Sequence, residues 1–268
     1  MNRFSKFFVL AALLAAACSA PSQNAGTLTE PLDDSTWECS SWISAADAPV
    51  VTGKVQSNEN CRAADGASWF VATVTNGKKV AAAKWMTTGL GVYELFVNGK
   101  TIGAEVLKPG FTHFEKTKIS YTYDITDALE TKAGAVNQLA AQVTPGWWGD
   151  KIITPAGHEG MIGRKCAFRA VLELTYADGS TELVGTDTEG WKAGIAGPVK
   201  HAAIFDGEEY DARVQPGYQS PELLGTPEIN HEFAGEIVPT AGAEIYLRPD
   251  IALKPVRAYT WSGVEGKT

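Results

Sequence analysis

The sequence predicts an all-β protein built as an antiparallel β-sandwich, and three observations carry that reading. Short runs rich in β-branched and aromatic residues recur from Ala67 to Gly185, and such residues suit a pleated surface. Asn76-Gly77, Asn98-Gly99 and Asp178-Gly179 fall between runs, with the chemistry of hairpin turns. No long amphipathic helix interrupts the pattern, which separates a sandwich from α/β alternatives.

The densest β signal is Gly91-Val-Tyr-Glu-Leu-Phe-Val-Asn-Gly-Lys-Thr-Ile-Gly103. Asn98-Gly99 supplies the two left-handed positions of a type I′ turn. A period of two puts Tyr93, Leu95 and Val97 on one face and Val92, Glu94 and Phe96 on the other. Both faces are largely apolar, so the hairpin belongs in the middle of a sheet or sandwich.

From the start of the chain, Arg3 and Lys6 precede eleven apolar residues, Phe7 to Ala17. That run is shorter than the roughly 20 residues a membrane helix needs, and it fits the h-region of a signal peptide. Residues 1–17 are therefore read as an export signal. Leu13-Leu-Ala-Ala-Ala-Cys18 is similar to a lipoprotein cleavage site, with Cys18 as the lipidated residue and anchor. Ala15-Ala-Ala17 would also serve an ordinary signal peptidase. Residues 18–36 are rich in small polar residues and read as a tether. Trp37 to Ala45 reads as an edge segment and Ala46 to Asp65 as a loop.

Strands are expected at Ala67–Thr75, Lys79–Met86, Val92–Val97, Lys100–Leu107, Lys118–Tyr123, Asn137–Val143, Cys166–Tyr176 and Thr181–Gly185. Ile125 to Glu130 is the one expected helical turn, with Asp124 or Thr126 as its cap. The sandwich is bounded at 37–217. Beyond it, 218–268 reads as a loop and two strands, Ala243–Leu247 and Val256–Trp261. These few residues cannot bury a core of their own, so they either pack on the sandwich or begin a following β-domain.

Composition excludes some functions. The chain carries a net charge of −8, and without residues 1–17 it has 21 bases against 31 acids, a net −10. Nucleic acid and anionic membrane surfaces are poor partners for that balance. The four His residues lack metal-site spacing, and no phosphate loop or nucleophile elbow is present. Cys39 and Cys61 form a candidate disulfide in an oxidising compartment; free or buried thiols remain the alternative. Asp206, Glu208, Glu209 and Asp211 lie within six residues. Asp206, Glu208 and Asp211 are candidate oxygen ligands for Ca²⁺, against a structural reading in which Asp211 pairs with Arg213. Trp147 and Trp148 sit in a Gly/Pro loop, where one indole could stack on a sugar while its neighbour plugs the sandwich end. No pair of carboxylates can be singled out for glycoside hydrolysis.

Several stretches, taken in order, resemble the N-terminal region of bacterial α-L-rhamnosidases. They are Leu90 to Lys100, Leu107 to Thr112, Tyr121 to Asp127, Leu172 to Ser180, Gly190 to Ala193, and Phe205-Asp-Gly-Glu-Glu-Tyr-Asp-Ala-Arg213. Two departures stand out: Val92 replaces a usual aromatic, and Pro145 replaces the Asp of a Gly-Asp-Gly-Trp-Tyr-type loop. The resemblance implies a lectin-like jelly roll of the galactose-binding type, preceding a catalytic (α/α) barrel that this sequence does not reach. It implies a rhamnose-containing glycan as partner, with Trp147, Trp148 and Asp150 as binding residues and no catalytic residue here. Two other functions are weighed: an intact α-L-rhamnosidase activity, and a purely structural lipoprotein domain.

Overall fold

A computed structural model describes residues 24–48, 66–149, 162–204, 207–242, 244–251, 253–254 and 256–257. The strands are β1 (Thr27–Leu28), β2 (Ile43–Ser44), β3 (Ala67–Thr75), β4 (Val80–Leu90), β5 (Val92–Val97), β6 (Lys100–Ile102), β7 (Thr117–Asp124) and β8 (Val136–Thr144). After a single turn of helix, α1 (Gly146–Gly149), come β9 (Ala167–Tyr176), β10 (Thr181–Gly185), β11 (Trp191–Ala196), β12 (Val199–Ala203), β13 (Gly207–Tyr210), β14 (Glu228–Ile229) and β15 (Glu236–Pro239). One sheet of eight strands runs β1-β7-β4-β9-β2-β14, with β10 on β9 and β15 on β7. A second sheet of five runs β11-β3-β8-β5-β6, and β12 and β13 form a separate hairpin. Among the described residues all the strand-to-strand pairings are antiparallel except β15 with β7. The expected antiparallel sandwich is the fold observed.

The core lies between the two large sheets. Tyr93, Leu95 and Val97 are fully buried, as period-two alternation along β5 requires. Phe168 on β9 reaches across to Phe70, Tyr93 and Trp191 of the other sheet, at ring separations of 5.8, 6.0 and 5.9 Å. The outer face of the five-stranded sheet is also covered: Trp69 and Phe96 pack with Tyr218, beside Val199 and Leu224. This is why the second face of β5 is apolar as well.

Asn98 and Gly99 both take positive φ (49° and 77°), and Val97 pairs with Lys100, the two-residue hairpin the sequence announces. Asp178-Gly179 also joins neighbouring strands, with the Asp178 carboxylate accepting from the Ser180 N–H at 3.0 Å. Asn76-Gly77 does not make a hairpin, because β3 and β4 belong to different sheets. The buried Asn76 amide donates instead to Glu130 O (2.6 Å) and Lys132 O (3.0 Å), and its Oδ1 accepts from Asn137 at 3.2 Å. It ties the crossover to the loop before β8. The expected helical turn is a 3-10 turn at Thr126–Ala128, whose Thr126 N–H donates to Asp124 at 3.0 Å.

Two expectations are corrected at the ends of the sandwich. From residue 24 the expected tether is bound: β1 pairs with Tyr123 and Asp124, and Leu32 is buried beside Trp37 and Met86. Residues 34–39 form a 3-10 turn capped by Asp33, and only Ile43–Ser44 of the expected edge segment is strand. Of the two courses open to residues 218–268, residues 228–239 pack on the sandwich, β14 on β2 and β15 on β7. The strand expected at Ala243–Leu247 reduces to one bridge, Tyr246 to Glu105. Val256–Trp261 falls largely outside the described residues.

Candidate functional site

Four segments meet at one end of the five-stranded sheet. Val92 begins β5, Thr144 ends β8 opposite it, Leu107 follows β6, and the β12–β13 hairpin closes over them. Between them is a largely apolar cleft of about 290 Å³, lined among others by Val92, Thr144, Gly146, Ala203, Gly207 and Glu208. The loop of Gly146 and the segment of Glu208, separate in sequence, therefore border one space.

Gly146 is required where it sits. Its φ is +49°, and a Cβ there would lie 2.5 Å from the Val92 Cγ2. A larger residue at 92 would press on the same spot, so the Val92 and Gly146 choices are coupled. Pro145 O accepts from the N–H groups of Trp148 and Gly149 at 3.1 Å each, which closes the turn α1.

The turn points its two indoles in different ways. Trp148 is buried, donates its Nε1–H to Lys165 O at 3.0 Å, and packs with Trp42, Leu90 and Phe233. It plugs the sandwich end. Trp147 is only half-buried and stands edge-on to Phe111 at 6.0 Å, which is itself 62% exposed. The pair offers aromatic surface to solvent beside the loop. Asp150, Cys18, Cys61 and Asp206 lie outside the described residues.

Under Trp148 lies a feature the sequence did not reveal. Lys118, 1% exposed, sets its ammonium 4.3 Å from the Trp148 ring, 4.4 Å from Phe114 and 5.6 Å from Phe233. No carboxylate pairs with it among the described residues, and burial pushes its pKa down to about 7. The three rings supply the compensating negative faces. A second buried lysine, Lys108, lies 3.8 Å from the Glu94 carboxylate and near the Tyr93 and Tyr123 rings. Burial lowers the Lys108 pKa and raises that of Glu94.

Where it is described, the acidic stretch carries the Asp211–Arg213 pair. Arg213 donates to both oxygens of Asp211, at 2.8 Å each, and this holds the Asp211 carboxyl below its usual range. Glu208 is exposed on β13. Among the described residues no group of three His, Cys, Asp or Glu side chains could hold a metal. Cys39 and Cys166 are free among the described residues, and burial pushes the Cys166 thiol up to about 12.

A two-sheet antiparallel sandwich with a loop-end cleft defines a β-sandwich module. The chain belongs to the α-L-rhamnosidase N-terminal domain family, whose profile matches residues 78–230. It is 32% identical over 185 residues to an α-L-rhamnosidase of Streptomyces avermitilis, a match covering 67% of this chain and 17% of that protein. An α-L-rhamnosidase of Alteromonas sp. (strain LOR) is 37% identical over 149 residues, covering 54% and 15%. The chain thus spans less than a fifth of the length of these relatives. Among solved structures, the S. avermitilis α-L-rhamnosidase complexed with L-rhamnose superposes with a TM-score of 0.59 at 32% identity, over 66% of this chain and 17% of that one. The native enzyme from Aspergillus terreus superposes at 0.64 with 24% identity, over 75% and 22%, a likeness of fold.

Proposed function

We propose that this domain is a non-catalytic carbohydrate-binding module of a longer α-L-rhamnosidase-type enzyme, holding rhamnose-containing glycan in the cleft beside Trp147. The observation that supports it is the meeting of Gly146, next to Trp147 in sequence, with Glu208 around one space of sugar size. The apolar edge of a 6-deoxy sugar suits the Val92, Leu107 and Ala203 walls, and Glu208 offers an acceptor for its hydroxyls. The family membership supplies the sugar. In the same reading the chain is exported and anchored through Cys18, catalysis belongs to a barrel outside this chain, and Ca²⁺ bound through Asp206, Glu208 and Asp211 assists the sugar.

Calorimetry with L-rhamnose, with and without Ca²⁺, tests this. A dissociation constant in the high micromolar to millimolar range, about 4–6 kcal/mol, is expected for one sugar in a shallow cleft. Trp147→Ala should weaken it about tenfold, roughly 1.4 kcal/mol, with the fold intact. Absence of heat at millimolar sugar would leave a structural module, and release of aryl-rhamnoside product by the purified chain would overturn the non-catalytic reading. Separately, Cys18→Ala should move the protein from the membrane to the soluble fraction; retention with the signal cleaved would remove the anchor.

A further inference from the structure

A second cleft, of about 480 Å³, opens on the outer face of the eight-stranded sheet. Asp34 and Trp37 of the N-terminal 3-10 turn form one wall, Arg169 of β9 lies between, and Glu236 of β15 borders the other side. It shares no lining residue with the cleft at Gly146.

Arg169 is fixed on one edge and open on the other. Its Nε donates to Ser40 Oγ (3.0 Å), and its Nη2 to Trp37 O (2.5 Å) and Ser40 O (3.0 Å). The guanidinium carbon lies over the Trp37 ring, 5.3 Å from its centre. Nη1, with two N–H groups, has no partner among the described residues. Trp37 itself is 7% exposed, and its Nε1–H is buried without an acceptor. The Trp37 N–H is closed to the cleft, so Arg169 Nη1 is the donor left open to a ligand.

Charge narrows the ligand. One guanidinium is set against two exposed carboxylates, Asp34 and Glu236, so an added carboxylate or phosphate meets a net negative lining. A neutral polyol does not: its hydroxyls accept from Arg169 and donate to Asp34 and Glu236.

We propose that the Trp37–Arg169 cleft is a second carbohydrate subsite, taking a neutral pyranoside through a pair of adjacent hydroxyls. The two Arg169 Nη1 N–H groups are the donors, and Asp34 and Glu236 are the acceptors. It goes beyond the reading of the Trp147 cleft and does not need it.

The indole N–H of Trp37, in the cleft wall beside the Arg169 guanidinium, reports on this. ¹⁵N-labelled protein, with the Trp37 signal assigned by Trp37→Phe, is titrated with methyl α-L-rhamnopyranoside and, separately, with sodium glucuronate. The Trp37 signal should shift with the neutral glycoside in both wild type and Trp147→Ala, and not with glucuronate. Glu236→Gln, at an exposed position, should weaken the response about fivefold, as loss of one charged acceptor does. A shift at Trp147 with Trp37 unmoved overturns the second subsite and leaves the first standing. A shift at Trp37 alone supports the second and removes the first. A stronger response to glucuronate, or one that Glu236→Gln leaves unchanged, overturns the assignment of ligand and acceptors.

Discussion

Phe168→Ala should cost about 3–5 kcal/mol of stability, the range for truncating a buried aromatic. Phe168 is fully buried and stands within 5.8 to 6.3 Å of Phe70, Tyr93, Trp85 and Trp191. Three of those rings belong to the opposite sheet, so the cavity would open at the plane that joins the layers. Their positions are fixed by β-pairing on both sides, which leaves little room for collapse into the gap. Phe168→Leu, which keeps most of the volume, should cost less than about 1.5 kcal/mol. Urea denaturation of the three proteins decides it; an alanine variant within 1 kcal/mol of wild type would mean that the sheets close without this ring.

Lys118→Met should stabilise the domain by about 2 kcal/mol at pH 7 and flatten its pH dependence. The Lys118 pKa falls to about 7 in the folded protein, against about 10.4 in the unfolded chain. Between those values the unfolded chain binds one more proton, so wild-type stability rises with pH from about 7 toward 10. The rings of Phe114, Trp148 and Phe233 offset part of the desolvation, which keeps the gain below the full pKa difference. Lys108, also lowered by burial, acts in the same direction and remains in the variant. Tyr93 and Tyr123 are held neutral by burial, so they subtract stability only as pH passes about 10, where the unfolded phenols ionise. Equal slopes for wild type and variant between pH 7 and 9 would show that Lys118 is not the group responsible.

The sequence makes some of this legible because the information is local. Ala67–Thr75, Val92–Val97 and Thr181–Gly185 have the expected limits, since side-chain type and turn chemistry decide them. Strands β11 and β13 were not expected: Trp191-Lys-Ala-Gly-Ile-Ala has a central Gly, and Gly207-Glu-Glu-Tyr is exposed and charged, so only pairing makes them strands. Asn76 failed as a turn signal because its amide answers to carbonyls 54 and 56 residues away. The site divides likewise. Adjacent Trp147 and Trp148 could be seen to face opposite ways, but which one is buried depends on the Lys165 carbonyl and the Lys118 cage. Trp37 and Arg169 are 132 residues apart and carry no shared motif. Only the folded sheet brings them together.

The pairing of both β1 and β15 with β7 gives the domain a defined line of tension. A pull applied between residue 24 and residue 240 enters β7 at both points: β1 at Tyr123 and Asp124, β15 from Thr117 to Ser120. Part of the load also enters the five-stranded sheet, through the Ala25 bonds to Thr101 and Gly103 beside β6. β1 holds by two residue pairs with the Ala25 bonds to β6 just before it, and β15 by four pairs, so the first rupture falls at the N-terminal segment and lengthens its lead. The sandwich behind it stays closed, with the short strand serving as a mechanical fuse.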